Sequence, residues 1–243
     1  MDEKATMIVG LTGQTGAGKS TISRMFSERG IAVVDADIVA RDTIENSKEC
    51  LMDLVLEFTT DVLRSDGTLN RQRLAEICFS DKQKLRRLNQ VTFPYIIHAI
   101  EDKLKEATNR KETIVVLDAP TLYESGLDKR CHRVIAVLAD RETRLQRIIQ
   151  RDEMTPEAAE RRINAQNDDS FYTSRVNYVL RNDDDLNELR FGFVNLAAKL
   201  DQMAIDGSYL TPEDPPSPPQ EQTAQEPMQE GELEELQEQS EGE

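Results

Sequence analysis

The stretch of this chain best equipped for chemistry is Gly13-Gln14-Thr15-Gly16-Ala17-Gly18-Lys19-Ser20. A glycine, four residues and then Gly-Lys-Ser is the spacing with which backbone amides hold a polyphosphate. Gly13, Gly16 and Gly18 permit positive φ and close approach, so successive N–H groups can turn inward and cradle an anion. Lys19 would then reach the β- and γ-phosphates, and the Ser20 hydroxyl would ligate Mg²⁺. The plain alternative is an ordinary glycine-rich turn. A dinucleotide fingerprint fits worse, because its third glycine would fall on Thr21.

Two further sets of side chains could act on a phosphate. The run Ile31–Val34 ends at Asp35-Ala36-Asp37, and Asp118 closes Thr113–Leu117, so these carboxylates sit where a strand gives way to the next element. That end of a parallel sheet is where ligands bind. Asp35, two residues before Asp37, reads as a helix cap. Asp118 is either a residue beside the hydration shell of Mg²⁺ or a turn-forming Asp ahead of Pro120. Arg144, Arg147 and Arg151 fall at i, i+3 and i+7 and would share one helical face. Arginine suits charge on a phosphoryl group in transfer, although a solvated basic face has the same pattern.

Elements to position these residues are legible on both sides. Met7–Leu11 is a buried-strand run, and Ile22, Met25 and Phe26 make a helical stripe that stops at Gly30. Ile31–Val34, Thr113–Leu117, Arg133–Leu138 and Tyr178–Leu180 read as four more strands. Strands alternating with helices define an α/β protein, here a five-stranded parallel sheet with helices on both faces. Residues 47–110 are mostly helical, with a long apolar face expected to break near Pro94. An insertion of that length exceeds a simple crossover and is a candidate acceptor-binding subdomain. Residues 140–168 read as two charged helices, a lid that closes over nucleotide. Asn182-Asp183-Asp184-Asp185 reads as a helix start rather than a metal cluster.

Composition divides the 243 residues in two. Residues 207–243 hold eleven Asp or Glu and no Lys or Arg, and six of the nine prolines. The net charge of −16 therefore leaves only −5 on the preceding 206 residues. We expect one domain over 1–207 and a disordered acidic Pro/Glu/Gln-rich tail over 208–243. A mildly acidic body argues against a nucleic-acid binder. No apolar run of about 18 residues suggests a membrane span. The start of the chain lacks an export signal, and Cys50, Cys78 and Cys131 are spaced for neither zinc nor a disulfide framework. Buried free thiols in a reducing cytoplasm are the expectation from that spacing, and we expect a monomer or weak homo-oligomer.

Regulatory GTPases need Asp-x-x-Gly and Asn-Lys-x-Asp, and transporter ATPases need Leu-Ser-Gly-Gly-Gln; none of these strings occurs. Small-molecule kinases need a loop, an acceptor subdomain and an arginine-bearing lid. At this level the chain resembles the dephospho-coenzyme A kinase family. The resemblance is carried by Gly10-Leu11-Thr12-Gly13 running into Gly16-x-Gly18-Lys19-Ser20-Thr21, then Val34-Asp35-Ala36-Asp37-x-x-Ala40-Arg41 and Asp66-Gly67-x-Leu69-Asn70-Arg71. Leu88-Asn89, Asp118-x-Pro120-x-Leu122-Tyr123-Glu124, Gln150-Arg151-Asp152 and Ala165-Gln166 continue it in family order. Phe93-Pro94 and Pro120-Thr121-Leu122 depart from the family's frequent His-Pro and Pro-Leu-Leu.

The resemblance implies transfer of the ATP γ-phosphate to the 3′-hydroxyl of dephospho-CoA. It implies Asp37 as catalytic base, Lys19 and Arg147 as catalytic cations, and Ser20 and Asp118 at Mg²⁺. Gly13 to Thr21, with Arg144 and Arg151, would hold ATP. The open alternatives are a kinase of another small acceptor, such as a nucleoside or nucleotide, and a non-catalytic nucleotide-binding switch.

Overall fold

The computed structural model describes residues 6–79, 81–183 and 186–211. Five strands, β1 (Met7–Gly13), β2 (Ala32–Asp35), β3 (Ile114–Asp118), β4 (Arg133–Leu138) and β5 (Tyr178–Arg181), form one parallel sheet. Its order is β2-β3-β1-β4-β5. The chain thus builds outward from β1 in both directions, so the connection after β1 leaves the sheet at its switch point, where a crevice opens. The helices in chain order are α1 (Lys19–Glu28), α2 (Ala36–Asn46), α3 (Lys48–Phe58), α4 (Arg71–Phe79), α5 (Lys82–Asn109), α6 (Arg141–Asp152), α7 (Pro156–Asn164), α8 (Asp169–Thr173) and α9 (Leu186–Asp206).

Strands covered on both faces must be apolar throughout, and every residue of β3 and β4 is buried. On one face Met7, Val9 and Leu11 pack under α1 and α9, where the Phe26 and Phe193 rings meet edge to face at 4.8 Å. On the other, Leu117 and Leu138 pack under Ile100 and Leu104 of α5 and Tyr172 of α8. The insertion has its own cluster, in which Cys50, Leu54 and Phe58 of α3 meet Leu74 and Cys78 of α4. Asp66-Gly67 turns a small hairpin there, bridged between Leu63 and Leu69. All three cysteines are free. Helices α6 and α7 close on a fourth cluster, Ile148, Ala159 and Ile163.

One expectation about the insertion fails. Helix α5 runs unbroken through Pro94. A proline in a helix forfeits one hydrogen bond and costs roughly 3 kcal/mol. The apolar stripe of α5, which packs on α2, α3 and α4, outweighs that local cost.

The body also extends past the expected boundary at 207. Ser208–Leu210 forms a 3₁₀ turn, and Tyr209 is 4% exposed. The anchor is Arg133, buried at the start of β4, whose guanidinium donates to the carbonyls of Ser208, Tyr209 and Thr211 at 3.3, 3.0 and 3.0 Å. An arginine this deep needs carbonyl partners, which the composition of 208–243 does not reveal. The remainder of that expected tail, 212–243, lies outside the described residues. Truncation after Gly207 strips Arg133 of these partners and should cost about 2 kcal/mol. That is about 4–8 °C in melting temperature. Truncation after Thr211 keeps all three carbonyls and should melt like the full chain.

His132 supports the same corner. Its Nδ1 accepts the Ile8 N–H at 2.8 Å, and its ring meets Tyr209 edge to face at 4.9 Å. Burial, reinforced by the neighbouring Arg133 charge, holds its pKa below the ordinary histidine value. The unfolded chain therefore binds a proton that the folded chain resists. Stability should be full above pH ~6.5 and fall as pH drops through the lowered value. Thermal melts from pH 7.5 to 5.5 should show a steeper loss for the wild type than for His132→Gln.

Candidate active site

Gly13 ends β1 with φ +145°, and Gly16 and Gly18 follow at +79° and +97°. A side chain at Gly13 would lie 2.2 Å from the Val137 carbonyl, and one at Gly16 would lie 2.8 Å from the Arg144 carbonyl. The loop therefore closes against β4 and α6 only because these residues are glycine. It runs directly into α1 with no side-chain cap at Gly18. The Thr15 and Ala17 N–H groups are taken by the Gln166 side chain and the Gln14 carbonyl, so it is the amides at Gly16, Gly18 and the positive end of the helix that face an anion.

They face a cleft of about 740 Å³, lined by the loop with Lys19, Ser20 and Asp37, and closed from the other side by Arg147, Gln150, Arg151 and Arg162. Asp37 reaches it from the first turn of α2. Asp35 caps that helix, its Oδ1 accepting the N–H groups of Asp37 and Ile38 at 2.9 and 3.0 Å. Asp37 is thus excused from capping, and its carboxylate is exposed at the rim of the cleft.

Lys19 is ion-paired with Asp118 at the end of β3. Asp118 is 3% exposed. Burial drives its pKa above the ordinary carboxylate value, and the Lys19 ammonium opposes that shift. The Asp118 carboxylate, joined to the cleft through Lys19, and the exposed Ser20 hydroxyl that lines it are both hard oxygen donors. No cluster of three metal-binding side chains occurs among the described residues. One or two protein oxygens completed by phosphate and water is how Mg²⁺ is usually held, so these residues fit that ion.

The arginines separate. Arg147 lines the cleft, with its guanidinium donating to the carbonyls of Asn182 and Asp183 at 2.7 and 3.1 Å. Arg151 lines it too and pairs bidentately with Asp152, which also accepts from Arg162 at 2.7 Å. Arg144 corrects an expectation. It is 6% exposed, and its Nε donates to the Ala139 carbonyl at 3.0 Å, behind the loop rather than in the cleft. Its inward partner in α6 is Ile148, four residues on, so it belongs to the buried stripe. Thr21 likewise faces away, toward a groove between α1 and α9. Ala17 is fully buried and can offer only its backbone.

Other residues complete the cleft. Gln166 Oε1 accepts the Thr15 N–H at 3.0 Å, tying the segment after α7 to the loop. The Gln14 side chain donates to Asp169 Oδ1 at 3.0 Å. Pro120, Gln150 and Gln166 stand in motifs that carried the family resemblance, which was the available signal. Arg162 carried none, being one of several polar residues on a charged helix.

A parallel sheet in this order, with a phosphate loop after its central strand, a helical insertion and an arginine-bearing helical pair across the cleft, defines the phosphate-loop kinase class. Comparison with known proteins narrows it. A family model described as dephospho-CoA kinase matches residues 7–188. A dephospho-CoA kinase of Fusobacterium nucleatum is 35% identical over 183 residues, covering 75% of this chain and 93% of that protein. One from Oryza sativa is 38% identical over 186 residues, covering 76% and 81%. The crystal structure of TT1252 from Thermus thermophilus superposes with a TM-score of 0.69 at 30% identity, covering 81% of this chain and 99% of that one. The chain belongs to the dephospho-CoA kinase family.

Proposed function

We propose that this protein transfers the γ-phosphoryl group of ATP to the 3′-hydroxyl of the ribose of dephospho-CoA, giving CoA and ADP. The observation that carries the reading is the convergence of Asp37, Lys19 and the phosphate loop on one cleft, in a chain of this family. Loop amides and the start of α1 would receive the polyphosphate. Lys19 would exchange Asp118 for phosphate oxygens as ATP enters. Ser20 and Asp118 would hold Mg²⁺, whose charge would neutralise phosphate oxygens when bound.

Asp37 would accept the proton of the attacking hydroxyl as the oxygen–phosphorus bond forms and the bond to the ADP oxygen breaks. Arg151 and Arg162 would meet charge on the transferring group from the far wall. Arg147 lines the same wall and would join them, its contacts with the Asn182 and Asp183 carbonyls holding it in place. Helices α6 and α7 would act as the lid that excludes water, and the 47–110 insertion would hold the acceptor. The acidic segment beyond Thr211 would take no part in the chemistry. No helix among the described residues is long and apolar enough to cross a membrane, and we infer a cytoplasmic monomer or weak homo-oligomer.

Purified protein with Mg-ATP and a panel of acceptors, read by mass spectrometry, tests the reading. Dephospho-CoA should gain one phosphoryl group. Phosphorylation of a nucleoside in its place, or ATP binding without turnover of any acceptor, would reject it.

A further inference from the structure

We propose that Asn182, in the connection from β5 to α9, is the positioning residue that aims the Gly18 amide of the phosphate loop. The proposal rests on the reading of the loop as the ATP seat and adds a residue outside the cleft wall.

Asn182 is 7% exposed. Its backbone N–H donates to the Leu138 carbonyl at 2.9 Å, extending the pairing of β4 with β5 by one residue and fixing its place. From there its Nδ2 donates to the Ala17 carbonyl at 2.7 Å, a contact between positions 165 residues apart. The fit is tight, since a methyl carbon on Gly18 would lie 2.1 Å from the same Nδ2. Gly18 is therefore glycine for two reasons, its φ of +97° and the amide packed beneath it.

The orientation follows from peptide geometry. No peptide bond among the described residues is cis. The Ala17 C=O and the Gly18 N–H therefore point in opposite directions from one plane. Drawing the carbonyl down onto Asn182 turns the Gly18 N–H to the other side, where Gly18 lines the cleft. The Asn182 carbonyl is used as well, accepting from Arg147 at 2.7 Å. One residue thus holds the underside of the loop with its side chain and the cleft-lining arginine of α6 with its backbone. Preorganised amides need no reorientation when an anion arrives, which is where such a contact gains affinity.

Two variants test the role. Asn182→Ala removes the donor, and Asn182→Asp keeps the shape but sets an acceptor against the Ala17 carbonyl. Binding of Mg-ATP to the full-length protein is measured by calorimetry without acceptor, so an error in the acceptor's identity leaves the test intact. Both variants should raise the Kd for ATP about tenfold or more, the loss expected for a buried carbonyl left without its donor. The acceptor KM at saturating ATP should stay within about twofold. ATP binding at wild-type strength by the folded Asn182→Asp variant would overturn the proposal. So would a fall in melting temperature with ATP affinity unchanged. If Asn182→Ala does not fold, the near-isosteric Asn182→Asp carries the decision.

Discussion

Replacing Asp37 with Asn should lower kcat by about 10²-fold or more, the contribution expected of a general base, with ATP affinity and melting temperature nearly unchanged. The prediction is sharp because the fold has separated two neighbouring carboxylates. Asp35 does the structural work, accepting two N–H groups at the start of α2. Asp37 only donates its backbone N–H there, which Asn retains. What the substitution removes is a charge in the helix's first turn, worth about 0.3–1 kcal/mol of stability, and the group able to take a proton at the rim of the cleft. Steady-state kinetics with calorimetric ATP binding distinguishes the roles. A large fall in stability would move Asp37 to a structural role, and near-normal kcat would remove it as the base.

Lys19→Met should act on two properties at once. It removes the cation that would meet the phosphates, and kcat/KM should fall about 10²–10³-fold. It also strands Asp118, whose side chain is 4% exposed, without its partner. Breaking a buried pair from one side costs about 3–5 kcal/mol, whereas removing both charges is often nearly neutral. The double variant Lys19→Met/Asp118→Asn should therefore regain most of the stability and none of the activity. Chemical denaturation of wild type, both single variants and the double variant closes the cycle. Equal instability of Lys19→Met and the double variant would show that the ion pair is not what Lys19 contributes to the fold.

The phosphate-loop side of the candidate site was legible because its physics is local. Glycines at 13, 16 and 18 and Lys19-Ser20 encode the loop in eight consecutive residues, and Asp35 encodes its cap in two. The five strands were legible as apolar runs, but their order was not. The β2-β3-β1-β4-β5 sequence arises from crossovers whose direction leaves no mark on periodicity. Arg144 was misassigned because an i, i+3, i+7 arginine set overlaps an i, i+4 buried stripe, and only the packing of α6 tells them apart. The turn at Ser208–Leu210 was missed for a similar reason. Its anchor, Arg133, lies about 75 residues earlier and reads as the ordinary polar start of a strand. Pro94 was read by its local cost, which the packing of α5 overrides.

The proposed reaction directs the γ-phosphate of ATP to one hydroxyl. The most direct measurement is the position of the new phosphate after incubation with Mg-ATP and dephospho-CoA, read by phosphorus NMR and tandem mass spectrometry. A single phosphomonoester on the ribose 3′-oxygen, formed in equal amount with ADP, is the predicted result. A phosphate elsewhere on the acceptor, or ADP released with the acceptor unchanged, would contradict it.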